Sequence, residues 1–326
     1  MKFAIIGYGS IGVRHLQNLI SLGEEDIIIV SSHIKTRLIN ISGKSINVVN
    51  SIYEVVDSID VMIISNETNL HLKYLKIAIN KGIHAYIEKP IACQLNEVNN
   101  IFKEAINKKL VMAVGTQFRF NELLNKLKKI IDNNYFGRII SVMSSHGEHI
   151  ADYHPSEDYK LSYSANKKQC GGILLTQIHH LDYLDWLFGP FSYVYANEML
   201  SPSLEIDVES VINYSLVSSK TNLQVHGHMN YFQRPKSTSL SIIGENGSAF
   251  WNYEDNKMRL FKDSNCFEEI SYSDRNQMFL LSMKNFLESV RFSKKPKSDI
   301  SDAIRSMEIV ESIKKSIFTG QVEKIY

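Results

Sequence analysis

The sequence predicts an α/β fold in two domains: an N-terminal doubly wound parallel sheet, then an α+β domain on a large, mostly antiparallel open sheet. Three observations predict it. The first hundred or so residues alternate short β-branched runs with amphipathic segments, the mark of successive βαβ units. Beyond about residue 120 the texture changes to longer Tyr- and Ser-rich runs, which suit strands with one exposed face. The 326 residues are enough for two domains of about 150 residues, each able to bury a core without staples. The boundary is expected at 120/121, giving domains 1–120 and 121–326 without a flexible linker.

In order, strands are expected over 2–6, 27–30, 61–64, 84–87 and 111–115, with helices over 11–21, 70–81 and 96–108 between them. A helix over 122–133 opens the second part. Strands over 139–145, 211–217, 223–229 and 239–243 form its sheet, 171–188 reads as one buried helix, and 276–290 and 301–316 as closing helices.

Lys and Arg total 36 against 35 Asp and Glu, a net charge of +1, which argues against a nucleic-acid or membrane-surface partner. Cys93, Cys170 and Cys266 are odd in number and scattered, so neither a disulfide framework nor a metal site is expected, and a reducing compartment is. The first residues run straight into Gly7 with no signal-peptide pattern, and no apolar run approaches the roughly 18 residues needed to span a bilayer. A cytoplasmic location follows as the expectation.

Gly7-Tyr8-Gly9-Ser10-Ile11-Gly12 follows a predicted strand and opens a predicted helix, the context in which GxGxxG signals dinucleotide binding. Gly7 permits the tight turn, Gly9 lets a pyrophosphate approach the backbone, and Gly12 allows close helix–strand packing, while free N–H groups favour the anion. The second strand would end in an acid if it held the ribose hydroxyls of NAD. Here Ser31 and Ser32 stand there, followed by Lys35 and Arg37, a set that suits a 2′-phosphate and hence NADP over NAD. A solvated loop is the alternative for Lys35 and Arg37. Glu88-Lys89-Pro90 ends the fourth predicted strand, at the sheet edge where such folds present ligand-binding groups. The loop 153–160 gathers polar and aromatic groups suited to a polyhydroxylated ligand, and His226 and His228 share one face of a strand, where subunit contact or sheet-face packing is expected.

Taken together, Gly7–Gly12, Asn66-Glu67-Thr68-Asn69-Leu70-His71, Glu88-Lys89-Pro90, Gly115-Thr116-Gln117-Phe118-Arg119-Phe120, Phe136-Gly137-Arg138-Ile139 and Gly171-Gly172…His179-His180 closely resemble the glucose–fructose oxidoreductase, inositol dehydrogenase and MocA family (Gfo/Idh/MocA). The resemblance spans essentially the whole chain. It implies an NAD(P)-dependent oxidoreductase acting on a sugar, cyclitol or sugar nucleotide. It also implies dinucleotide contacts from the Gly7–Gly12 loop, Asn66, Asn69, His71, Glu88, Lys89 and Gln117, and a homodimer or homotetramer formed through the open sheet. Lys89 and His180 are the implied proton-handling pair. A histidine suits that work because its pKa starts near neutrality. Substrate contacts are implied for Arg119, Thr176, Tyr153, His154, Glu157, Asp158 and Tyr159. At Thr176 many members carry an aspartate, so one titratable group is lost. The 153–160 loop resembles loops of members found with surface-glycan pathways. A binding protein that has lost catalysis, and an epimerase or glycosidase using its cofactor without net redox, are the alternatives.

Overall fold

The computed structural model describes residues 1–41, 43–96, 98–153, 155, 157–199, 202–262, 265–271 and 274–326. The chain divides into two compact units, Met1–Gln117 with Asn276–Ile304, and Phe118–Arg275 with Arg305–Tyr326. The second unit is not one continuous segment, because 276–304 is assigned to the first.

Within the first unit the described residues form a seven-stranded sheet, ordered β3-β4-β2-β1-β5-β6-β7. β1 (Phe3–Ile6), β2 (Ile27–Val30), β5 (Val61–Ile64), β6 (His84–Ile87) and β7 (Met112–Val114) are short and almost wholly apolar. Burial on both faces demands that composition, and these strands pair in parallel. α1 (Ser10–Ser21), α2 (Thr68–Lys81) and α3 (Val98–Asn107) supply the crossovers. β3 (Leu38–Ile41) and β4 (Lys44–Val49) were not among the expected strands. They form an antiparallel pair, with β4 also parallel to β2, and their alternating burial marks an edge with one wet face. α7 (Gln277–Arg291) belongs here: Met283, Phe286 and Leu287 lie in one core with Phe3, Ile5, Leu16, Ile29, Ile63 and Tyr86. That apolar stripe on α7 overrides its distance along the chain.

Among the described residues the second unit holds a nine-stranded sheet, β15-β14-β13-β12-β8-β11-β10-β9-β16. In chain order these are β8 (Ile139–Gly147), β9 (Phe191–Glu198), β10 (Val211–Ser218), β11 (Gln224–Asn230), β12 (Ser237–Gly244), β13 (Gly247–Asn252), β14 (Lys257–Lys262), β15 (Asn265–Ser271) and β16 (Glu323–Lys324). All pairs are antiparallel except β8 with β11. α4 (Glu122–Asp132) opens the unit, its N-terminus capped by Asn121 accepting from the Leu124 amide.

The expected single helix over 171–188 is two: α5 (Ile173–Thr176) and α6 (His179–Phe188), parted at Gln177, where φ is −112° and ψ 24°. No Gly or Pro marks that break. α8 (Ile300–Thr319) starts in the first unit, and its residues from Arg305 are assigned to the second. Cys266 is free and exposed. Among the described residues no helix is long and apolar enough to cross a membrane.

Candidate functional site

In the first unit the glycine loop meets the demands read from its spacing. Gly7 has φ +91°, and a Cβ there would lie 3.0 Å from Asn66 N. At Gly12 a Cβ would lie 2.3 Å from the Gly7 carbonyl oxygen, so α1 can approach β1 only through hydrogen. Gly9 caps α1 with extended backbone, and a Cβ on it would meet nothing within 4 Å. Open space over a helix N-terminus lined by Ser10 and Ile11 amides is what an anion needs. Two buried oxygens, Asn66 Oδ1 and Gln117 Oε1, have no hydrogen-bond partner among the described residues, and such atoms call for a ligand. These residues fit a dinucleotide.

The glycines are separable by experiment. Gly12→Ala is expected to lower Tm without ligand, overpacking of this kind costing about 1–3 kcal/mol. Gly9→Ala should leave ligand-free Tm intact while weakening NAD(P)H binding, because its methyl enters open space. Thermal shift with and without coenzyme reads both; equal losses of stability in the two variants would defeat the distinction.

Other predicted cofactor residues do supporting work. Glu88 is buried and its Oε1 lies 2.7 Å from His15 Nε2. Burial raises its pKa, but the His15 hydrogen bond and charge, with Lys89 beside it, outweigh this and hold the carboxyl below the usual range. Its Oε2 also accepts from the Lys89 amide at 3.3 Å, and a Cβ on Gly115 would strike Oε1 at 2.7 Å. Glu88 thus braces α1 and the backbone of Lys89.

His71 is also engaged within the unit. Buried on α2, it faces the Pro90 carbonyl with Nδ1 at 2.8 Å and the Asn66 carbonyl with Nε2 at 3.0 Å. Burial lowers its pKa despite both carbonyls, so the neutral ring donates to one of them and ties together the two loops that carry Lys89 and Asn66. Asn69 is exposed, and Tyr8 and Lys89 are half-buried.

After β2, Ser31 is buried and its Oγ accepts from His33 N, while Ser32, Lys35 and Arg37 are exposed. Arg37 pairs with Glu54 at 3.3 Å, an acid that spacing alone did not bring to it.

In the second unit α6 carries the predicted base. His180 is 1% exposed, and its Nδ1 lies 3.2 Å from Tyr183 Oη, which in turn lies 3.2 Å from Ser144 Oγ. Burial raises the Tyr183 phenol, so it stays protonated. His179 stacks on Phe118, ring centres 4.8 Å apart and planes 18° off parallel, which makes it a packed imidazole. Tyr183, Ser144 and His146 escaped the sequence reading. Alternation along β8 places Ser144 and His146 on one face, but the register that brings α6 over them is not local.

Thr176 is not on the helix of His180. Its hydroxyl donates to the Gly172 carbonyl at 2.9 Å and meets Tyr231 Oη at 2.6 Å. Tyr153 Oη accepts from Gln177 Nε2 at 2.7 Å, and its ring lies edge-on to Tyr231. Buried Thr176 and Tyr231 and half-buried Tyr153 therefore form one polar cluster.

The other described residues of the predicted substrate loop are locally hydrogen-bonded or exposed. Asp158 caps a turn by accepting from Lys160 N, Tyr159 Oη donates to the Leu204 carbonyl at 3.2 Å, Glu157 is exposed, and His154 lies outside the described residues. Arg119, expected at the substrate, grips Asp182 through Nε and Nη2 at 2.9 Å each, and both side chains are buried. A guanidinium spent on a buried carboxylate holds the fold. Among the described residues no group of three or more His, Cys, Asp or Glu could hold a metal ion.

Comparison with known proteins gives two family matches. Residues 1–116 match GFO_IDH_MocA, the oxidoreductase family with an NAD-binding Rossmann fold, and residues 128–325 match its C-terminal alpha/beta domain. Myo-inositol 2-dehydrogenase of Thermotoga maritima is 23% identical over 81% of this chain and 75% of its own length. Glucose-6-phosphate 3-dehydrogenase of Bacillus subtilis is 27% identical, but the match spans 57% of this chain and only 53%, about half, of that protein. Among solved structures, levoglucosan dehydrogenase in complex with NADH superposes with a TM-score of 0.87 at 16% identity, covering 100% of this chain and 99% of the other. The WlbA dehydrogenase from Bordetella pertussis with NADH and UDP-GlcNAcA gives 0.83 at 20% identity, covering 100% and 98%. At these identities the structures speak for the fold.

Proposed function

Because the chain belongs to the Gfo/Idh/MocA family of oxidoreductases, with an NAD-binding Rossmann domain, we propose that it is a dehydrogenase or reductase acting on a hydroxyl or keto carbon of a sugar, sugar nucleotide or acidic sugar. The observation that carries the reading is the buried imidazole of His180, hydrogen-bonded through Nδ1 to a phenol that stays protonated. The bound dinucleotide supplies the hydride acceptor or donor. The proton falls to the protein. For His180 to act as a base at Nε2, Nδ1–H donates to Tyr183 Oη and the Tyr183 hydroxyl donates in turn to Ser144 Oγ, a direction the two 3.2 Å contacts allow. In the first unit Lys89, its backbone braced by Glu88, offers an ammonium to a substrate oxygen. The named activities of the relatives on inositol, glucose 6-phosphate and levoglucosan support a carbohydrate substrate.

The test is a panel of myo-inositol, glucose 6-phosphate, xylose, levoglucosan and UDP-linked uronic acids, each with NAD and NADP, followed by nicotinamide absorbance. Turnover of a carbohydrate supports the reading. Coenzyme binding with no turnover across the panel favours the binding-protein or redox-neutral alternatives instead.

NADP is the proposed preference, from Ser31, Ser32 and Lys35 and the lack of an acid just after β2. The exposed Arg37–Glu54 pair is a weak tie that leaves the guanidinium free to swing. Ser32→Asp, at an exposed position, should move the preference toward NADH in fluorescence titrations; a wild type that already binds NADH more tightly would overturn the assignment.

Subunit contact is proposed through the outer face of the second sheet. There Tyr195, Asn197, Asn213, Ser215, His226 and His228 line a shallow depression that carries no formal charge, and interface cores are depleted of charge. Light scattering of the purified protein distinguishes a dimer or tetramer from a monomer.

A further inference from the structure

We propose that His146 is a positioning residue that sets the orientation of the His180 ring; the proposal rests on the reading of His180 as the proton-transfer group. β8 lies between β12 and β11 near the middle of the second sheet. Its alternation sends Met143 outward, 63% exposed, and Ser144 and His146 inward, where they are 5% and 2% exposed. α6 crosses this inner face.

Strand residues two apart are about 6.7 Å apart along the chain, and helix residues three apart rise about 4.5 Å, so a pair on one element can meet a pair on the other. Both meetings occur. Ser144 Oγ reaches Tyr183 Oη, and the ring of His146 lies 4.2 Å from that of His180, with planes 32° apart.

Among the described residues, three groups bear closely on the ring of His180. Tyr183 Oη meets its Nδ1 at 3.2 Å, while the rings of His146 at 4.2 Å and His179 at 4.5 Å bound it. His146 is itself held. Its cross-strand partner in register is Thr238 on β12, and Thr238 Oγ1 lies 2.9 Å from His146 Nδ1. That bond stops the His146 ring from turning over. The order of support runs from Thr238 to His146 to His180, entirely within the second unit.

The experiment uses the full-length protein labelled with ¹⁵N-histidine, with His180→Ala to assign the His180 resonances. In the wild type the two ring nitrogens of His180 should be well separated, as for one fixed tautomer. In His146→Ala that separation should collapse as the ring samples both tautomers. His146→Phe, which keeps a flat ring against His180, should restore it.

Turnover of the best panel substrate should fall roughly tenfold in His146→Ala, with coenzyme affinity unchanged, as expected for a misplaced catalytic group. Should His146→Ala not fold, Thr238→Val carries the same test at smaller amplitude. A residue needed only for packing would lower Tm and leave the His180 shifts alone, and unchanged shifts in both variants overturn the proposal. Full activity in His180→Ala is a different failure: it removes the reading of His180 while leaving the ring-orientation result standing.

Discussion

His180→Ala should lower kcat for the carbohydrate substrate by about 10²–10⁴-fold, the usual contribution of a positioned acid or base. The expectation follows from where the ring sits. It is almost wholly buried, its Nδ1 is engaged by a phenol, and rings pack at 4.2 and 4.5 Å from it. So enclosed a group has one orientation to offer. Coenzyme affinity should be unaffected, because the glycine loop, Asn66 and Gln117 belong to the other unit. His180→Gln separates chemistry from packing: it keeps volume and hydrogen bonding but cannot carry the proton, so it should be nearly as slow as alanine while regaining Tm. Near-normal kcat in either variant, measured beside coenzyme titration, removes His180 from the chemistry.

What the sequence makes legible follows the range of the forces involved. The parallel strands of the first unit are readable because burial on both faces leaves continuous apolar runs such as Phe3–Ile6 and Val61–Ile64. The glycine loop is readable because Gly7 and Gly12 answer to neighbours fixed by the βαβ unit. Residues whose partners lie far along the chain are not. α7 has a plain helical stripe, but nothing local says that Phe286 and Leu287 pack beside Phe3.

The break at Gln177 carries no Pro or Gly, so 171–188 reads as one helix and Thr176 and His180 read as one face. Glu88 reads as a cofactor contact because His15, 73 residues away, is invisible to spacing. The same limit hides the role of His146, which needs both the alternation of β8 and the register of α6. Family resemblance supplies expected residue roles, and the geometry adds partners to them: Glu88 meets His15, His71 meets the Pro90 and Asn66 carbonyls and Arg119 meets Asp182, while Lys89 and His180 are proposed for the chemistry.

Arg119→Ala tests the role of that residue sharply, because the two readings predict opposite observables. A substrate contact would raise KM and leave stability alone. The structure instead places the guanidinium in a bidentate bond with Asp182, whose side chain is 0% exposed and also accepts from Ser306 Oγ at 3.3 Å. Removing one member of a buried pair leaves the other charge uncompensated, at a cost of about 3–5 kcal/mol. At about 2–4 °C per kcal/mol for units of this size, Tm should fall by roughly 6–20 °C.

Arg119→Lys should recover little, since a point-like ammonium cannot reproduce the planar fork. The double variant Arg119→Met, Asp182→Leu should recover much of the loss, because paired apolar replacements of a buried ion pair are often neutral or stabilising. Asp182 stands two residues after His180 on α6, so the pair also pins the helix that carries the base. Any loss of turnover in Arg119→Ala should therefore appear in kcat and diminish in the double variant. A raised KM with unchanged Tm would return Arg119 to the substrate.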